Sequence, residues 1–212
     1  MTKKLKKQIL TFLKKATSND GALSYAHAIQ VTGRMAIATE GHRLHLAYTP
    51  EPIADDGYYL IEGGELIRPV YDPPFPDWKR VWNKSYNSKY QPIEYSIMDA
   101  NIGMSTGNVV DLYKNHGVMF NAQYLADLSI VHEDDPMVQE TVWLVRLQDE
   151  DKTRPVIFEH ANEKRGIYYA AMIAPRKLES EEFPTYPQEM YIAKTLNRLR
   201  PDSLIPKEES ND

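Results

Sequence analysis

The side chains best suited to chemistry in this sequence are six histidines, His27, His42, His45, His116, His132 and His160. His42 and His45 stand three apart in a stretch that reads as a strand. That spacing points them to opposite faces, away from a shared metal ion. No HExxH run or carboxylate cluster accompanies them. Cysteine is absent, which removes thiol nucleophiles, zinc–thiolate sites and disulfide frameworks together. There is no GxSxG elbow, and Gly63-Gly64 is a lone pair rather than a phosphate loop. Asp134-Asp135 and Asp149-Glu-Asp151 flank strand-like runs as solvated turn residues. We read the chain as a non-enzyme with no catalytic residue, metal or cofactor. The enzymatic alternative is a hydrolase using His42 or His45 with a nearby carboxylate.

What remains is binding chemistry, and the charge is unevenly spread. Over 212 residues, 25 Lys and Arg face 30 Asp and Glu, a formal net charge of −5. Any contact with nucleic acid must therefore use a local patch. Lys3, Lys4, Lys6, Lys7, Lys14 and Lys15 all precede the first acidic residue, Asp20. Leu5, Ile9, Phe12, Leu13 and Ala16 form one stripe at helical spacing, with Lys3, Lys4, Lys7, Lys14 and Lys15 on the opposite face. That face is either a solvated helix surface or a row of ammonium groups turned to a phosphate backbone. No apolar run approaches the length of a membrane span, and the basic N-terminus lacks the apolar core of a signal peptide. A cytoplasmic protein without a membrane partner is expected.

Along the chain, strands are expected over 22–29, over 34–38 continuing through 43–48, and at Tyr58–Ile61. Four prolines between Pro69 and Pro76 exclude regular structure there. Residues 75–91 then read as a linker between two halves. The second half opens with a strand at 93–98 and a short helix at 108–115. A strand at 118–120 precedes a helix capped by Asn121 and carrying Tyr124, Leu125, Leu128 and Val131. Strands at 141–147, 155–159 and 167–173 follow, the last two joined by a turn at Asn162–Gly166. Beyond Leu178 an acidic, proline-broken segment leads into a helix over 188–199. The expected organisation is a half-domain at 1–74, the linker at 75–91, a second half-domain at 92–178 and an acidic tail at 179–212. Each half reads as a helix followed by antiparallel strands, an α+β fold with an architectural pseudo-repeat.

Four peptides carry more than their local structure: Ala38-Thr-Glu-Gly-His-Arg-Leu44, Phe75-Pro-Asp-Trp-Lys-Arg-Val81, Phe120-Asn-Ala-Gln-Tyr-Leu-Ala-Asp-Leu128 and Tyr168–Leu178 (YYAAMIAPRKL). In this order they resemble segments of the bacterial DNA polymerase III beta sliding clamp family. The departures are Glu40 where the family has Asp, Ala174-Pro-Arg-Lys-Leu178 in place of a Met-Pro-Met-Arg-Leu ending, and a chain too short for three clamp domains. A reduced clamp of this kind suggests a phage or mobile-element version.

The resemblance implies a clamp-like domain with helices packed on antiparallel sheets. It implies a DNA-replication processivity factor whose basic helix, through Lys3, Lys4, Lys7, Lys14 and Lys15, faces double-stranded DNA. It also implies an apolar pocket for peptide motifs of DNA polymerase and clamp loader. That pocket would be lined by Thr39, Gly41, His42, Arg43, Leu44, Pro76, Arg80, Val81, Ile173, Pro175 and Leu178. A homo-oligomer is expected. The alternative is a clamp-derived regulator that captures such peptides without encircling DNA.

Overall fold

The computed structural model describes residues 1–18, 24–86, 93–98, 111–112, 114–118, 120–131, 140–147 and 154–175. Helix α1 (Lys3–Lys14) starts where the Thr2 hydroxyl accepts from the Leu5 amide at 3.3 Å, satisfying one of the unpaired donors of the first turn. A 3-10 turn at Ser24–His27 leads into β1 (Ala28–Thr32), β2 (Met35–Thr39) and β3 (Arg43–Tyr48), then β4 (Gly57–Glu62) and β5 (Glu65–Ile67). Helix α2 (Trp78–Ser85) precedes β6 (Ile93–Met98). Helix α3 (Ala122–Leu128) is followed by β7 (Glu140–Arg146), β8 (Val156–Asn162) and β9 (Ile167–Ile173).

The strands form one antiparallel nine-stranded sheet in the order β5-β4-β1-β2-β3-β9-β8-β7-β6. The pseudo-repeat is visible in that order. Helix α1 precedes the meander β1-β2-β3, and α3 precedes the meander β7-β8-β9. The two meanders meet at β3 and β9; β4 and then β5 extend the sheet beyond β1, and β6 extends it beyond β7.

Both faces of the central sheet are covered, because α1 and α3 lie on one side and α2 on the other. On β3, His45 and Ala47 face α1, while Leu44 and Leu46 face α2. On β9, Tyr169, Ala171 and Ile173 face the helix pair, while Tyr168, Ala170 and Met172 face α2. A strand buried on both sides reads as a continuous apolar run, and every residue of β9 is buried. The face under α1 is paved with Ala36, Ala38, Ala47 and Ala171, small enough to admit Phe12 and Leu13 at close range.

Two sequence expectations change in the structure. Residues 22–29 were expected as strand, but Ser24–His27 form a 3-10 turn and pairing begins at Ala28. Val118 and Phe120, expected in a strand, are buried without joining the sheet. They lead directly into Asn121, whose side chain accepts from the Gln123 amide at 3.0 Å. The short helix expected near 108–115 is present where the structure describes it, at Asp111, Leu112 and 114–116. The tail from 179 onward lies outside the described residues.

Residues 75–86, the described part of the expected linker, carry more structure than a tether needs. Asp77 caps α2 by accepting from the Arg80 amide at 3.4 Å. Trp78, Trp82 and Tyr86 recur every four residues and lie on one face of the helix. Trp82 stacks on Tyr86 at 6.2 Å and meets Trp78 edge-on at 6.5 Å. All three pack on the sheet with Leu44, Leu46, Leu144, Ile157 and Met172. Trp82 is 1% exposed, so Trp82→Ala is expected to destabilise the protein by about 3–5 kcal/mol. Urea unfolding followed by circular dichroism reads this directly, and a change below the range for core truncations would make α2 a passive connection.

Candidate functional site

The β2–β3 connection is a tight loop whose geometry is set by one hydroxyl. Thr39 donates from Oγ1 to the Arg43 carbonyl at 2.8 Å and accepts from the Gly41 amide at 3.2 Å. Gly41 sits at φ +96°, and a Cβ there would lie 3.5 Å from the Tyr25 hydroxyl. Only glycine takes this conformation without strain. The Ala174 amide donates to the His42 carbonyl at 2.9 Å, tying the loop to the end of β9.

This loop forms one wall of a cavity of about 130 Å³. The second wall comes from Pro76, Asp77, Trp78 and Val81 at the start of α2. Met172 and Ala174 close the floor, with Tyr25 and Pro155 at the margin. Tyr25 meets Phe75 edge-on at 6.5 Å, and Phe75 lies 6.0 Å from Tyr58, so an aromatic cluster stiffens this end.

Of the residues expected at the pocket, Thr39, Gly41, His42, Arg43, Leu44, Pro76 and Val81 line the cavity. Ile173 is fully buried on the opposite face of the sheet. Pro175 is partly buried beyond the end of β9, Arg80 is exposed on α2, and neither lines the cavity. Leu178 lies outside the described residues. Trp78, Met172 and Tyr25 were missed by sequence reasoning. The four-residue aromatic spacing that starts at Trp78 was the available signal.

Arg43 plays a different part from the one expected of a pocket-edge guanidinium. Its Nη1 donates to Asp127 Oδ2 at 2.5 Å, its Nε lies 3.0 Å from Glu40 Oε1, and its guanidinium sits 4.3 Å from the Tyr124 ring centroid. Asp127 also binds Lys15 Nζ at 3.0 Å and accepts from Gln123 Nε2 at 3.0 Å. Its side chain is 4% exposed. This network joins α1, the β2–β3 loop and α3, so Arg43 fastens the two halves. A buried carboxylate stripped of one such partner leaves an uncompensated charge.

Among the lysines of α1, Lys3, Lys4, Lys7 and Lys14 are exposed, whereas Lys15 is held by Asp127. His42 is exposed in the loop, and His45 lies beneath α1. Among the described residues no group of three or more histidines and carboxylates could hold a metal ion.

His45 stacks on Phe12 at 4.3 Å, and its Nδ1 lies 2.7 Å from the Phe12 carbonyl. A carbonyl only accepts, so Nδ1 carries the proton and Nε2 is bare. Nε2 is buried with no hydrogen-bond partner among the described residues. Burial pushes the His45 pKa down from 6.5 to about 3, an effect that the Phe12 hydrogen bond only partly offsets. Below pH 6.5 the unfolded chain binds a proton that the folded chain refuses. Stability is therefore expected to fall with decreasing pH between 6.5 and about 3, by at most about 1.4 kcal/mol per unit from this group. A ring-nitrogen NMR titration should show His45 neutral at pH 5, and an imidazolium signal there would contradict the geometry.

No protein-family model matches the chain, and no curated protein matches its sequence. The fold does have counterparts among solved structures. The DNA polymerase III beta subunit of Thermotoga maritima aligns at 13% identity over 84% of this chain and 65% of that one, with a TM-score of 0.53. Caulobacter crescentus pol III beta aligns at 15% identity over 84% and 65%, also with a TM-score of 0.53. The DNA polymerase III beta subunit of Borrelia burgdorferi aligns at 10% identity over 84% and 62%, with a TM-score of 0.52. The fold is thus that of a DNA clamp, in its bacterial beta sliding-clamp form. This chain spans between 62% and 65% of the length of these clamps.

Proposed function

We propose that this chain works as a compact, non-enzymatic sliding-clamp-like protein in DNA replication. It would hold duplex DNA through the basic face of α1 and dock replication partners by short apolar peptide tails. The observation that carries the reading is the convergence at one cavity of two peptides distant in the sequence. The Thr39–Leu44 loop and the Pro76–Val81 segment are the same two segments that the sequence singled out for clamp resemblance. A space of about 130 Å³ suits one or two apolar side chains, and Val81, 43% exposed at its rim, offers further contact. With Arg43 held by Asp127, affinity would come from burial of an apolar anchor and from loop backbone groups.

For DNA, helix α1 presents lysines without any acidic residue on the same helix. Such a face attracts phosphates without reading bases, which permits sliding. Association of copies to surround DNA would use the outer sheet edges, which among the described residues are β5 and β6.

The experiment has two arms. A peptide ending in Leu-Phe, in the manner of a polymerase tail, is expected to bind with a Kd in the micromolar range, about −7 to −8 kcal/mol. Val81→Asp should weaken it at least tenfold while leaving the unfolding curve close to wild type, since Val81 is exposed. Leu44, 2% exposed, is a poorer choice because a charge there would disturb the core. Equal peptide affinity in wild type and Val81→Asp would move the peptide elsewhere. In the second arm, Lys3→Glu, Lys7→Glu and Lys14→Glu combined should weaken duplex binding. The slope of log affinity against log salt should fall by roughly 0.9 for each phosphate that is no longer neutralised. An unchanged slope would remove α1 from the DNA interface.

A further inference from the structure

A second and larger concavity lies on the helix side of the sheet, separate from the peptide cavity. It encloses about 820 Å³ between α1, the β4–β5 turn and α3. Lys7, Lys14, Lys15 and Arg43 line it against a single carboxylate, Asp127. Asp127 is already neutralised by Arg43 and Lys15. Lys7 and Lys14 make no ion pair among the described residues. The floor is the apolar surface of Leu10 and Ile61.

The far wall is Gly63-Gly64, which carries no side chains. Glu62 pairs with Glu65, so these glycines are a two-residue hairpin turn, with φ of 58° and 82°. Positive φ at both positions is the type I′ geometry. A Cβ at either glycine would meet nothing within 4 Å. The turn is therefore an open rim beside a row of cations.

We infer that this groove seats one phosphodiester strand of a nucleic acid, clasped between the lysines of α1 and the Gly63-Gly64 turn. The inference rests on the DNA-facing role of α1 and adds a second wall to it. Lys7 and Lys14 are two helical turns apart, about 10 Å along the axis. At about 3.4 Å of duplex axis per nucleotide of one strand, that spacing covers about three nucleotide steps. A polymer of phosphates answers both lysines, whereas a lone phosphate answers one. The side-chain-free rim lets a sugar–phosphate chain approach the backbone closely. The apolar floor suits the sugar faces between phosphates.

The type I′ turn supplies a clean test. Asn-Gly and Asp-Gly are both favoured in such turns, so Gly63→Asn and Gly63→Asp should fold alike and differ only in charge. Duplex binding at low salt is expected to be roughly three- to tenfold weaker for Gly63→Asp than for Gly63→Asn, with the gap closing as salt rises. Inorganic pyrophosphate, titrated as the small-anion probe, is expected to bind no tighter than millimolar. Equal duplex affinity in the two Gly63 variants, while the triple lysine variant loses binding, would overturn the groove and leave α1 as the DNA face. Pyrophosphate bound in the micromolar range and weakened by Gly63→Asp, with duplex binding unaffected, would instead assign the groove to a small phosphorylated ligand. If the triple lysine variant binds duplex as wild type does, the underlying DNA reading fails as well.

Discussion

The antiparallel pairing of β3 with β9 is the constraint on which the rest of the molecule depends. Six residue pairs, from Arg43 with Ile173 to Tyr48 with Tyr168, join the two meanders into one sheet. Because side chains alternate, this register decides which residues meet the helices on either face. A slip of β3 by one residue against β9 would drive Leu44 and Leu46 under α1 and push His45 and Ala47 toward α2. Ala47, one of the alanines that admit Phe12, would then face the tryptophans, and the imidazole that needs the Phe12 carbonyl would lose it. The candidate peptide cavity lies at the end of the same ladder, where the His42 carbonyl accepts from Ala174.

The ionic contacts around Asp127 reinforce this join from the helix side. Arg43 stands at the first position of β3, beside the loop that lines the cavity, yet its guanidinium belongs to the network linking α1 and α3. One residue thus shapes the pocket with its backbone and locks the halves with its side chain. Buried ion pairs of this kind contribute little net stability against a well-packed apolar core, but they tolerate few alternative arrangements. A second buried group, with Arg146 Nε bonded to Glu159 Oε2 at 2.5 Å and the Tyr168 hydroxyl to Glu159 Oε1 at 2.5 Å, lies toward α2. Arg146 also sits 4.8 Å from the Tyr86 ring centroid, beside the end of that helix. Among the described residues, each face of the sheet thus carries a charge cluster next to a helix that covers it.

The sequence disclosed these features unequally, and the inequality has a physical cause. Helix α1 was plain because its apolar stripe and its full basic face share one period. Strand β9 was plain because it lies in one long apolar run, and β7 because residues 142–145 are four consecutive apolar residues rich in valine and tryptophan. Helix α2 was obscured: its stripe has only Trp78, Trp82 and Tyr86, and it follows a run of prolines that argues for an irregular chain. At the pocket, the contributing peptides could be named, but not which of their alternating side chains would face inward. That parity is set by pairing between strands far apart in the chain, so Leu44 faces the cavity while Ile173 turns to the other side. Short peptides carry residue identity, and the register between them carries direction.

The same distinction between amount and placement governs charge. A net of −5 argues against a nucleic-acid partner when charge is treated as uniform over the surface. At physiological salt, however, exposed charges interact over a Debye length of about 8 Å, so a phosphate near α1 responds chiefly to the side chains around it. In that neighbourhood the lysines stand without an acidic residue on their own helix, and Asp127 is neutralised by Lys15 and Arg43. The acidic residues of β4 and β5, Glu62 and Glu65, flank the Gly63-Gly64 turn but do not line the groove. Carboxylates placed beside a cationic groove narrow the attractive region to its interior, so a strand that drifts sideways meets repulsion. A polyanion seated in such a groove would be confined more sharply than on a uniformly basic surface, so a net negative charge is compatible with the proposed role.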